Sequence, residues 1–67
     1  MSIWHARVLL RGDIPDRKDF HGREAAQHWA EAKLKDVDPN VKLEWRNRGD
    51  LWEVGPTPDF CAQVFPN

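Results

Sequence analysis

Residues 41–54 read Val41-Lys42-Leu43-Glu44-Trp45-Arg46-Asn47-Arg48-Gly49-Asp50-Leu51-Trp52-Glu53-Val54. From Val41 to Arg46 the chain alternates with period two, so Val41, Leu43 and Trp45 share one face and Lys42, Glu44 and Arg46 the other. Asn47-Arg48-Gly49-Asp50 has the composition of a turn, and Leu51 to Val54 reads as the returning strand. A tight Arg48-Gly49 loop would make Trp45 and Trp52 cross-strand partners on the core face. A three-residue loop with a glycine bulge would pair Trp45 with Leu51 instead. The first register is expected, because it puts Trp52 and Val54 inside and Glu53 outside.

Upstream, residues 3–11 alternate in the same way. Trp4, Ala6, Val8 and Leu10 point to one side, and Ile3, His5, Arg7, Leu9 and Arg11 to the other. Gly12 to His21 carries glycine, proline and several charges around Ile14, a loop by composition. A helix is expected from about Gly22 to Asp36, with Asp19 as its cap and Pro39 as its stop. Its apolar stripe would be Ala25, Ala26, Trp29, Ala30 and Ala32, with Val37 at the exit, and Glu31 and Lys35 supporting it at a spacing of four. Gly55-Pro56-Thr57-Pro58 breaks the chain, and Phe60 to Phe65 is either an edge strand or a segment lying across the core. The expected fold is therefore α+β, β-α-β-β with an optional last strand: one helix on one face of a three- or four-stranded sheet in a single domain, 1–67.

The four tryptophans fall one on each of the most regular segments, and there is no tyrosine. Sixty-seven residues are too few for a generous core, and a Trp can bury roughly 150–250 Å². Trp4, Trp29, Trp45 and Trp52 are therefore expected to meet in one aromatic core. A lone cysteine, Cys61, excludes an intramolecular disulfide and a Cys-rich zinc site, and it fits a reducing, cytoplasmic setting. The first residues lack a basic start and apolar run, and no run approaches the roughly 20 residues that span a bilayer, so no membrane role is expected. A net charge of −1 gives no basic excess of the kind that marks dedicated DNA-binding domains.

Chemistry-bearing constellations are weak. Glu24 and His28 have the i, i+4 spacing of a metal pair, but His21 and His28 are two helical turns apart, too far to share an ion. Cys61 reads as a small buried hydrophobe, and the sequence has no phosphate loop, HExxH or GxSxG pattern. No enzyme, cofactor or metal is expected. Arg11-Gly12-Asp13 and Arg48-Gly49-Asp50 repeat the letters of the integrin-binding tripeptide, yet glycine between Arg and Asp is ordinary turn chemistry.

What remains is the sheet face without a helix. The expected strands give it Ile3, His5, Arg7, Leu9, Arg11, Lys42, Glu44, Arg46, Leu51 and Glu53, a mixture of large apolar and charged groups. Such a face suits protein binding, and Arg7, Leu9, Arg11, Lys42, Arg46 and Leu51 are the candidate contacts. The occupant would be another protein or a second copy forming a homodimer. Six arginines to four lysines, with two isoleucines, resembles the usage of short reading frames from high-GC bacteria and their phages, which suggests an accessory factor acting on a host protein. The alternative is binding to a nucleic-acid backbone through the basic residues of the same face. An absence of exposed aromatics and the presence of Glu44 and Glu53 weigh against it.

Overall fold

The computed structural model describes residues 2–12 and 14–67. Its elements are β1 (Trp4–Leu10), β2 (Asp16–Phe20), α1 (Arg23–Val37), β3 (Arg46–Arg48), β4 (Leu51–Thr57) and β5 (Phe60–Pro66). All five strands join one antiparallel sheet in the order β2-β1-β5-β4-β3. This corrects the expected β-α-β-β arrangement of three or four strands.

The extra strand is β2, in the stretch expected to be a loop. Four of its five residues are charged, and only Phe20 is apolar, so no hydrophobic alternation announces it. Backbone pairing with β1 makes the strand, running from Trp4 opposite Phe20 to Val8 opposite Asp16. Short, charged edge strands of this kind resist pairing with other chains.

The last segment is central rather than peripheral. β5 lies between β1 and β4, with Phe60, Ala62 and Val64 buried on the helix side. Gly55-Pro56 does not break the chain; β4 runs through it, with a register shift between Val54 and Thr57. Gly55 has φ +128, and a Cβ there would lie 2.5 Å from the Cys61 Cα. Only glycine permits that approach. The β3–β4 turn is Gly49-Asp50, which sets Arg46 opposite Glu53 and Asn47 opposite Trp52. Neither register expected for this hairpin forms. Trp45 precedes the paired strand.

Residues 41–45 are extended but unpaired. Their alternation has another cause: Val41, Leu43 and Trp45 pack against the core beside the helix, while Lys42 and Glu44 face out. The β3–β4 ladder begins at Arg46 opposite Glu53, and just past Val54 the pairing of β4 with β5 shifts register as well. Trp45 is held instead by its indole Nε1–H, which donates to Glu31 Oε2 at 3.1 Å.

The helix covers β1, β5 and β2 on one side of the sheet. Its buried stripe is Ala26, Ala30 and Leu34, one residue per turn, against Val8, Ala62 and Val64. Ala25 and Ala32 are exposed, and Val37 is 45% exposed, so the stripe is narrower than expected and includes Leu34. Gly22 caps the N-terminus without a side-chain bond, whereas Asp19 sits in β2. At the other end the Asp38 N–H donates to Leu34 O, and Asp38 Oδ1 accepts from the Asn40 N–H, so Pro39 lies in a closed turn.

All four tryptophans do pack around one cluster, Ala6–Ala26–Val64, but each remains half-buried. The centre is aliphatic, with Phe60 its only fully buried aromatic. Small side chains let helix and sheet approach, and the indoles close the sides. Arg23 covers the Trp52 ring at 4.6 Å and Lys33 the Trp29 ring at 5.5 Å.

Candidate functional site: the open sheet face

On the side opposite α1, no element of the described chain covers the sheet. Antiparallel pairing sends directly opposed residues to the same side, so the register defines the face row by row. One row crosses all five strands: Arg17, Arg7, Gln63, Glu53 and Arg46. Arg7 Nη1 donates to Gln63 Oε1 at 3.4 Å, and Gln63 Nε2 to Glu53 Oε2 at 3.5 Å. Arg48 Nε closes the row with an ion pair to Glu53 Oε1 at 3.5 Å.

The next row holds Asp19, His5 and Phe65, with Leu51 beyond them on β4. His5 Nδ1 lies 2.6 Å from Asp19 Oδ1, and Nε2 lies 3.1 Å from Asn67 Oδ1. An imidazolium can donate to both at once, so the Asn67 contact first, and then the Asp19 carboxylate, raise the His5 pKa above the ordinary histidine value. The Phe65 ring lies 5.4 Å from the imidazole. On the other side of the polar row, Leu9 pairs with Cys61. Burial pushes the Cys61 thiol up, with Glu53 adding to the effect, so it is a poor thiolate. Beside it a shallow depression of about 190 Å³ is lined by Arg46, Glu53, Gly55 and Pro58, among others.

Four of the six candidate contacts share this face: Arg7, Leu9, Arg46 and Leu51. Arg11 does not, and Lys42 lies outside the paired strands at the β3 edge. Arg11 sits in the β1–β2 turn at φ +42, with its guanidinium over the Phe60 ring at 4.7 Å and its N–H on Asp59 O, a capping position at the end of the core. Lys42 and Glu44 belong to the unpaired 41–45 segment and line a shallow depression with Arg46, Gly55 and Pro56. Sequence reading missed Arg17, Asp19, Gln63 and Phe65. The last two follow from extending the β5 alternation through Phe60–Phe65. Arg17 and Asp19 become legible only once β2 is paired.

Phe65 changes one expectation: the open face does carry an aromatic, on a central strand. Charge on the face is also uneven. Arg7, Arg17, Arg46 and Arg48 outnumber Asp19 and Glu53, on a chain whose net charge is −1. The remaining surface is therefore acidic in surplus.

Elsewhere, Glu24 and His28 lie exposed on α1, and among the described residues no group of three or more His, Cys, Asp and Glu could hold a metal. Arg48-Gly49-Asp50 forms the exposed tip of the β3–β4 hairpin, while Asp13 of the other triplet lies outside the described residues. No helix among the described residues is long and apolar enough to cross a membrane.

The class defined by these features is a small antiparallel α+β domain with one sheet face covered and one open. Comparison with known proteins gives no family model, no curated relative and no solved structure that matches the chain.

Proposed function

We propose that this chain is a non-enzymatic protein-interaction module that binds a partner protein through the open sheet face, as an accessory factor acting on a bacterial host protein would. The observation that carries this reading is the composition of that uncovered face. Half-buried Leu9, Leu51 and Phe65 flank a cross-strand row of hydrogen-bonded polar groups. Apolar groups around a polar centre can exclude water while fixing the partner's register. Self-association through the sheet edges is opposed by the charges of β2 and by the three-residue length of β3.

The His5–Phe65 pair and the four arginines favour a second reading, binding to single-stranded nucleic acid. Against it stand Glu53 within the polar row and Asp19 beside His5. Both readings are tested by capture from a bacterial lysate with tagged wild type and a Leu9→Glu, Leu51→Glu variant, each with and without nuclease. A stoichiometric band that resists nuclease and vanishes in the folded variant supports protein binding through this face. A nuclease-sensitive signal supports nucleic acid, and a band retained by the variant places the interaction elsewhere.

A further inference from the structure

Arg7 and Arg17 stand directly opposite each other on β1 and β2. Like charges in that position destabilise a strand pair. Among the described residues, neither guanidinium has an ion-pair partner, and Arg7 makes only the long bond to Gln63. The nearby Asp19 carboxylate is engaged by His5. By contrast, Glu53 on β4, farther along the same row, pairs with Arg48 and accepts from Gln63. The row is thus polarised, with an uncompensated double cation on the β1–β2 side.

We infer that the Arg7–Arg17 pair is an anion-recognition site that takes a carboxylate from an acidic, leucine-bearing segment of a partner protein. This inference rests on the open face being the binding face and adds the chemistry of its occupant. Arginines at directly paired strand positions can bring their two guanidiniums to the two oxygens of one carboxylate, each donating to it, with Arg7 exchanging its long bond to Gln63 for the carboxylate. Phe65 and Leu51 on one side of the row, and Leu9 on the other, supply contact for neighbouring apolar side chains. Charge complementarity selects this occupant over a second copy. An isologous dimer would press a face of four arginines and two carboxylates against itself.

The test uses fluorescence anisotropy with three labelled probes at low salt: a helical-pattern peptide of Glu, Leu and Ala; its Lys-for-Glu counterpart; and an oligo-dT. The acidic peptide should bind, the basic one should not, and added salt should weaken the complex. An Arg7→Gln, Arg17→Gln variant should keep its circular dichroism spectrum and lose affinity roughly tenfold or more. The same variant should melt at a temperature higher by about a few degrees, because the repulsion is gone. Equal binding by variant and wild type, no peptide binding, or tighter binding of oligo-dT each overturns the inference. A Leu9→Ser, Leu51→Ser variant separates the two levels. If it loses the peptide while the arginine variant does not, the face stands and the anion site falls. If neither variant loses it, the face falls as well.

Discussion

Gly55 and His5 show how much of this fold depends on single residues. At Gly55 the backbone is in the left-handed region, and the space for a Cβ is already filled by the neighbouring strand. Gly55→Ala should cost ~3 kcal/mol or more, read as a lowered denaturation midpoint. Gly49 is a fitting control, because its φ is +70 but nothing lies within 4 Å of the added atom. Gly49→Ala should cost only about 1 kcal/mol. His5 makes a prediction in pH. Its folded pKa is raised, so its contribution to stability is fully present below the unfolded value of about 6.5 and is lost as pH rises through the folded value. Urea denaturation at several pH values should show this extra stability on the acid side, and His5→Gln should remove it. An NMR titration should place the His5 midpoint above about 6.5. None of this was legible in the sequence, since Asp19, Asn67 and Cys61 are brought to these residues only by the sheet register.

Among the elements, helix and strand phase were readable where burial imposes a period, and unreadable where it does not. Trp4, Ala6, Val8 and Leu10 lie on the helix side as their alternation implies, and α1 starts and ends within a residue of its expected bounds. β2 was hidden because four of its five residues are charged. Residues 41–45 misled for the opposite reason, since an unpaired extended segment lying on a core has the period of a strand. Alanine positions do not define the helix stripe; Ala32 is exposed and Leu34 is fully buried. Leu34→Ala should therefore cost roughly 2–5 kcal/mol. Ala32→Gln should change stability by less than about 0.5 kcal/mol, both measured by chemical denaturation. Of the site, Arg7, Leu9, Arg46 and Leu51 were accessible to alternation alone, and Arg17 was not.

For the molecule as a whole, the aromatic content closes the sides of a small aliphatic core. With each Trp half-buried, emission should lie between that of buried and of solvated indole, and acrylamide should quench only part of it. A fully blue-shifted, unquenchable spectrum would contradict this packing. The sheet is joined at its middle by the pairing of β1 with β5, strands from opposite ends of the described chain. Neither the β1–β2–α1 half nor the β3–β4–β5 half then contains a complete core: Val8 and Ala30 come from one, Val54 and Ala62 from the other. Folding must wait for that distant meeting, so the transition should be cooperative and lack a stable half-folded species. The same interlock makes the chain a natural candidate for fragment complementation. Two peptides divided at the exposed Pro39-Asn40 turn after α1 would each be unstructured alone and would assemble into the native sheet when mixed.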